Sequence, residues 1–361
     1  MEILFRGDHW ILQNMISGLR SRKMGCAEAI TFVTVADFSY LMHLETLVER
    51  WMGPISLALF APGDDFDATM NAIQYARLCL PISKLVRDYV TFHIYFPSGH
   101  LPVDGIPRTP LEALKWPANC SEPYAPYENV RRRDLYWHWL QLGLPINLGR
   151  NVARRSINTH YALVADIELY PSKDFIPQFF DMISRNTSLV TSKNRHVFAV
   201  PAFDLDHHAM VPDTKEDLMT MYNMGMAMEM HHRSCSYCQL IPEEQKWLER
   251  DSMAERMEVV SMVKRYTSIP FWEPFFVSDP RVPDYDERLL WQWKYDKRMH
   301  NYAMCLLGYE YYILHPAFLT HSPGPTPFDV ENTRMFTADE EVVEMVPEYA
   351  VVYGINERCE V

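Results

Sequence analysis

Apolar positions along this chain come in short runs, divided by polar segments that repeat with a helical period. Residues 30 to 35, ITFVTV, are an apolar and β-branched run that predicts a buried strand. From 37 to 52, Leu41, Leu44, Leu47 and Val48 share one face of a predicted helix, with Asp37 as its cap. After Gly53-Pro54 the run ISLALFA predicts a second strand, DDFDATMNAIQYARLC a second helix, and YVTFHIYF, 89 to 96, a third strand. This alternation predicts an α/β fold with a mostly parallel central sheet flanked by helices.

Residues 97 to 129 are proline-rich and predict a surface loop; NVRRRDLYWHWLQLG then straddles a short strand or helix. INLGRNVARRS, 146 to 156, reads as a helix, YALVADIEL as a strand and DFIPQFFDMISRN as the helix after it. HVFAVPAFDL, 196 to 205, reads as a strand in which Pro201 marks an end or an edge. Beyond 213 the pattern loosens. TKEDLMTMYNMGMAMEMHH reads as a helix whose methionines, Met219 to Met230, pack core and loop rather than form a cofactor surface. Without repeats or a flexible linker, one continuous domain is expected over 30–331, with 1–29 as the remnant of a stem or leader and 332–361 as an acidic peripheral tail.

Composition narrows the class. The chain has 361 residues, 48% of them hydrophobic and 13% aromatic, enough for a large packed core. A formal net charge of -13 disfavours nucleic acid and anionic membrane surfaces as partners. No run of ~18 apolar residues is present. The 7 cysteines include one CxxC, Cys235 and Cys238. With His231 and His232 just before it, that pair suits either a His/Cys metal cluster or, more simply, a local disulfide. Asn119 and Asn186 begin N-glycosylation triplets.

The chemistry gathers at YALVADIELYPSKDF, where an apolar run meets Asp166 and Glu168. In open α/β sheets ligands bind beyond the carboxyl ends of the strands. Two carboxylates at i and i+2 of a strand point to one side, and hard oxygen donors suit Mn²⁺, or Mg²⁺ in its place. The plain alternative is a strand end meeting water. No GxGxxG follows the first strand, and GxxxxGK[ST], G-x-S-x-G and H-E-x-x-H are missing. What remains is metal-assisted transfer from a phosphate-linked donor.

These residues lie within motifs that resemble glycosyltransferase family 49, which includes β-1,4-glucuronyltransferases and the glucuronyltransferase domain of the dystroglycan xylosyl/glucuronyl polymerase. The motifs, in the family's order, are ITFVT, LVERWMGPISLALF, LPINLGRNVARR, LVADIELYPS, FAVPAFDL, FWEPFFV, VPDYDERL and AFLTHSPG. The resemblance implies a GT-A type nucleotide-sugar-binding fold, a UDP-sugar donor with glucuronate foremost, and inversion at the sugar carbon. It implies a glycan acceptor on a glycoprotein, and a type II membrane protein of the Golgi lumen whose anchor is absent from this chain. Asp166 and Glu168 take the family's D-x-D positions, with Glu where Asp is usual, and His321 takes the place of a third metal ligand.

Asn147, Arg150 and Asn151 match its donor-binding helix; an ordinary solvated helix face is the alternative. For the general base that inversion requires, Glu273 in WEPF comes first, followed by Asp286 with Glu287, and then Asp296. A buried structural acid bonded to an arginine is the competing reading of Glu273. Trp272 and Arg288 are weaker candidates for acceptor contact. Trp291, Trp293 and Tyr295 suit either a sugar platform or core packing. The segment WQWKYDK departs from the family's glycine-containing run, so the acceptor is left open. A transferase for xylose, N-acetylglucosamine or galactose, and a catalytically silent glycan-binding relative, are the alternative functions.

Overall fold

The computed structural model describes residues 1–361 except 104, 233–234, 252, 254–255, 267, 291–294 and 324–337. The chain divides into two compact units, Met1–Glu168 and Leu169–Val361, a division that no linker in the sequence announces.

In the first unit the strands are β1 (Glu2–Arg6), β2 (His9–Ile16), β3 (Ile30–Ala36), β4 (Ile55–Phe60), β5 (Val90–Pro97) and β6 (Tyr161–Val164). Its helices are α1 (Leu44–Trp51), α2 (Asp65–Leu78), α3 (Ser83–Tyr89), α4 (Pro110–Leu114), α5 (Tyr136–Trp139) and α6 (Ile146–Arg155). β6, β3, β4 and β5 pair in parallel in that order, and the β1–β2 hairpin adds antiparallel to β5. β4 is buried at every position, and β3 at all but one, as expected of parallel strands covered on both faces. Residues 1–29, expected as a stem or leader remnant, thus carry a hairpin built into this sheet.

The predicted helix at 37–52 begins as a 3₁₀ turn, Phe38–His43, and becomes α-helical at Leu44. Asp37 caps it as expected, accepting from the Ser39 amide at 2.8 Å. The proline-rich stretch contains α4 and is tied to the end of α2 by the Cys79–Cys120 disulfide. α6 lies against the sheet at Gly149, where a Cβ atom would stand 2.7 Å from both the Tyr95 hydroxyl and Val35 Cγ1. Only glycine permits that approach, and it fixes where the flanking Asn147 and Arg150 project.

In the second unit the strands are β7 (Leu169–Pro171), β8 (His196–Val200), β9 (Ala202–Leu205), β10 (Ala227–Glu229), β11 (Glu258–Val263), β12 (Phe275–Ser278), β13 (Glu310–His315) and β14 (Leu319–His321). Its helices are α7 (Phe175–Arg185), α8 (Ser188–Thr191), α9 (Lys215–Asn223), α10 (Glu244–Glu249), α11 (Asp296–Leu306) and α12 (Ala338–Tyr353). β12, β8, β13 and β11 form one run of paired strands; β10, β9, β14 and β7 form another.

The single strand expected at 196–205 is broken at Pro201 into β8 and β9, which belong to the two different runs. The methionine-rich helix stops at Asn223, and the sequence turns through Gly225 (φ +72°) into β10. Its methionines divide accordingly: Met230 is buried, Met219, Met221 and Met226 pack partly against the core, and Met224 is exposed. The acidic tail carries α12, whose Val342, Met345 and Tyr349 pack with Leu289, Met299 and Tyr302. The Cys305–Cys359 disulfide and a bond from Arg265 Nη1 to the Glu360 carbonyl, 2.9 Å, hold its far end.

Candidate active site

β3 and β6 are adjacent and parallel, and each runs out in the same tripeptide: Val35-Ala36-Asp37 and Val164-Ala165-Asp166. The last bond between them is from the Ala165 amide to the Val33 carbonyl, 3.1 Å. β6 ends at Val164, so Asp166 and Glu168 sit in the turn after the strand and not on it. This corrects the strand-face argument for their convergence: buried Ile167 anchors the turn, with an acid on either side.

Asn147, Arg150 and Asn151 are all buried, so the solvated-face alternative is overturned. Arg154 is half-buried and Arg155 exposed. Arg150 Nη1 donates to Asn147 Oδ1 at 3.0 Å, and Nη2 meets Asp166 Oδ1 at 3.4 Å. The donor-helix and metal candidates of the first unit thus form one constellation. Asp166 keeps 28% of its side chain exposed, while Arg150 keeps 4%. A buried guanidinium held by a neutral amide fixes the position of the carboxylate it meets.

The structure adds residues that the sequence reading did not assign to the site. Trp137 Nε1 donates to Asp37 Oδ2 at 3.3 Å, and the Tyr136 and Trp137 amides donate to Asp65 at 2.9 and 3.1 Å. Burial raises the Asp37 carboxyl above its usual range, against its bonds from Ser39 and Trp137 and the nearby Arg132 charge. Burial likewise lifts Asp65 to about 6, with the two amide bonds opposing it. The Tyr40 hydroxyl is pushed upward by burial and then by the charges of Glu168, Asp37 and Asp166, which places it in the field of the turn acids. The Arg132 guanidinium stands 5.5 Å over the Trp137 ring. The repeated Val-Ala-Asp strand ending was the available signal for Asp37; nothing in sequence pointed to Trp137.

In the second unit Glu273 is buried and accepts from Arg298 Nε at 3.0 Å. Burial raises its carboxyl, partly offset by Arg298, with Asp296 adding repulsion. Asp296 is buried in the first turn of α11, the helix that also carries Arg298. Asp286 accepts both Arg288 Nε (2.9 Å) and Nη2 (2.6 Å), and the Tyr349 hydroxyl at 3.1 Å. Burial pushes its pKa up, but the Arg288 bonds outweigh that and hold it low. Glu287 is half-buried beside this pair.

Arg288 also bonds Glu348, so this acceptor candidate braces α12 instead. Trp272, the other, is a core residue at 2% exposure rather than a surface an acceptor reaches. His321 ends β14, with Nδ1 3.0 Å from the Ser322 carbonyl oxygen. Trp291 and Trp293 lie outside the described residues; Tyr295 stacks under the Arg298 guanidinium at 5.0 Å. Cys235 and Cys238 form a disulfide, which overturns the His/Cys metal cluster. Both sequon asparagines, Asn119 and Asn186, are exposed.

Among the described residues no group of three His, Cys, Asp or Glu side chains is arranged as a metal site. A divalent ion that takes most of its shell from substrate phosphates and water needs only one or two carboxylates. The oxygen donors of Asp166 and Glu168, in a partly open turn, fit that kind of ion.

Residues 29–354 match the family model described as "Glycosyl-transferase for dystroglycan". Among relatives, β-1,4-glucuronyltransferase 1 of Danio rerio is 29% identical over 296 residues, covering 81% of this chain and 66% of that protein. The Homo sapiens protein of that name is 27% identical over 300 residues, covering 81% and 67%. The xylosyl- and glucuronyltransferase LARGE2s of Gallus gallus is 24% identical, covering 85% of this chain and 33% of that protein. The chain therefore spans about two thirds of the first relatives' length and a third of the last. The structure of S. aureus TarS 1-349 in complex with UDP aligns with a TM-score of 0.42 at 11% identity, over 91% of this chain and 67% of that one, too low to define a shared fold.

Proposed function

This chain belongs to the family of glycosyltransferases for dystroglycan, and we propose that it is an inverting, metal-dependent transferase of the GT-A type that moves glucuronate from a UDP-sugar to a glycan acceptor on a glycoprotein. The observation that carries this is the Arg150–Asp166 pair beside Glu168, beyond the carboxyl ends of parallel strands. Mn²⁺, or Mg²⁺ in its place, would be held by Asp166 and Glu168, and when bound would neutralise the leaving diphosphate. Arg150, pinned by Asn147, orients Asp166. Tyr40, half-buried in the field of the turn acids, offers a ring that suits the nucleoside, and buried Asp37 and Trp137 brace the segment that carries it.

For the acceptor proton, Glu273 is the best-suited candidate. Burial makes it a stronger base than an exposed carboxylate, whereas Asp286 is doubly bonded by Arg288 and held acidic. The proposed compartment is the Golgi lumen. Three disulfides suit an oxidising space. Among the described residues no helix is long and apolar enough to cross a membrane.

The test is UDP release by the purified chain with Mn²⁺, a panel of UDP-sugars and a glycan acceptor. UDP-glucuronate is expected to be turned over fastest, and Asp166→Ala to reduce turnover at least ~1,000-fold while Glu168→Asp is tolerated. Equal turnover in Asp166→Ala sinks the metal assignment. Faster turnover of UDP-xylose, UDP-N-acetylglucosamine or UDP-galactose replaces the donor.

A further inference from the structure

We propose that the first unit carries a second ligand site, a cavity at the amino-terminal ends of its strands that takes a single acidic sugar ring. The cavity has a volume of about 300 Å³, and its lining includes Asn14, Ser17, Arg22, Ser56, Thr91 and Ser156. Thr31, Ile55 and Thr91, at the starts of β3, β4 and β5, also line it. Asp166 lies towards the other end of this sheet: Thr31 pairs with Ala162, and Asp166 is four residues further on, about 13 Å along the strand. The cavity is therefore separate from the transferase site, and the proposal does not rest on the transfer reading.

The cavity has a built origin. β2 pairs with β5 at Leu12↔Ile94 and again at Ile16↔Phe92, so residues 13 to 15 face His93 alone. This bulge is pinned. Asn14 adopts a left-handed backbone (φ 51°), and its amide donates to His93 Nδ1 at 2.8 Å. Nδ1 accepts, so Nε2 carries the proton and donates to Ser56 Oγ at 2.9 Å. Ser56 Oγ in turn donates to the Ala153 carbonyl at 2.7 Å. Burial holds His93 down to about 3, so it stays neutral and the relay is fixed at all physiological pH. The bulge thus costs a strained residue and a buried histidine in order to hold β2 off its partner.

The walls select the ligand. Thr91 Oγ1 accepts the Gly18 amide at 3.1 Å, and Ser156 Oγ donates to the Val152 carbonyl while accepting from Gln13. These hydroxyls are fixed before any ligand arrives, which lowers the ordering cost of binding. Ser56 and Ser156 spend their protons on backbone carbonyls and so offer acceptor oxygens, while the Asn14 side-chain amide and the Arg22 guanidinium bring donors, a mixed set as a sugar ring requires, above an apolar patch of Pro54 and Ile55. No carboxylate and no aromatic ring is among the lining residues, which disfavours cations and stacked bases. Arg22 supplies a guanidinium suited to a carboxylate, which points to a uronate. The volume lies at the small end of ligand pockets, ~300–1,000 Å³, so one ring fits and a longer glycan does not.

The experiment is titration of the full chain with methyl β-D-glucuronide and methyl β-D-glucoside, followed by NMR. The glucuronide is expected to bind at least ~10-fold more tightly, and Arg22→Ala to erase that difference. Ser17→Phe, which fills the cavity, should abolish binding of both. Its thermal melt shows whether it folds, and exposed Arg22 keeps the test decisive if it does not. Asp166→Ala should leave binding intact even if the transferase reading fails. Free glucuronate, run alongside, separates capture of a free sugar from capture of a glycan terminus. Equal affinity for the two glycosides, unchanged binding in folded Ser17→Phe, or loss of binding in Asp166→Ala would each overturn the proposal.

Discussion

In the first unit Asp166 meets a guanidinium at 3.4 Å and keeps 28% of its side chain exposed; in the second, Glu273 meets one at 3.0 Å and keeps 10%. Both acids were singled out by their neighbours in sequence, and both have an arginine partner. They differ in what the arginine does. Arg150 is the more buried member of its pair and is bonded to Asn147, so it presents Asp166 outward. Arg298 closes over Glu273 between the rings of Phe271 and Tyr295, each 5.0 Å away. An apolar flank in sequence predicts burial of an acid equally well in both cases. The direction in which the pair faces is what separates an acid presented to a cation from one kept away from water, where burial raises its basicity.

The largest effect should come from Arg298→Met. It strands a buried carboxylate, and unfolding free energy by denaturant titration should fall by about 3–5 kcal/mol, with much of the loss recovered in the double variant with Glu273→Gln. A loss below ~1 kcal/mol would mean that Glu273 is as open as Asp166. Next, Arg150→Met should cut sugar transfer about 100-fold while costing less stability than Arg298→Met, because Asp166 can turn to water. Equal stability losses in these two variants would erase the contrast.

Gly149→Ala should cost about 1–3 kcal/mol by pushing α6 off Tyr95 and Val35, seen as a lower melting temperature. It should also weaken transfer by moving Arg150. The smallest effect concerns Asp65, whose folded value of about 6 lies above the ordinary aspartate value, ~3.9. Between those values the folded state holds more protons, so stability from this group is present below pH ~4 and lost as pH rises to about 6. Asp65→Asn should flatten that part of the stability–pH curve, and an unchanged slope would show that Asp65 titrates normally.

Much of this was legible in sequence because parallel strands buried on both faces, such as β3 and β4, leave continuous apolar runs. The hairpin at the start of the chain was not. β1 is largely solvent-facing, and Glu2 and Arg6 break its pattern. β10 was hidden because methionine serves helix, strand and loop alike. α12 was hidden because its acidic residues resemble a solvated tail, and what orders it lies far off in sequence: Cys305, Arg265 and Arg288. For the candidate site, spacing pointed to Asp166 and the family resemblance to Asn147 and Arg150, but neither revealed their shared constellation. Glu273 was visible, and Arg298, 25 residues further on, was not.

The anchoring of Glu360 by Arg265 also bears on how the chain is made. The two residues are 95 positions apart, so at ribosomal rates of ~5–20 residues per second Arg265 emerges about 5–19 s before its partner. Cys305 waits similarly for Cys359, 54 positions later. The strands of the first unit's sheet are all synthesised by Val164, and it can close while translation continues. In the second unit the Cys305–Cys359 disulfide and the Arg265–Glu360 bond can form only once residues 359 and 360 have been made. In a cell, chaperones and disulfide isomerases should therefore engage Leu169–Val361 for longer than Met1–Glu168.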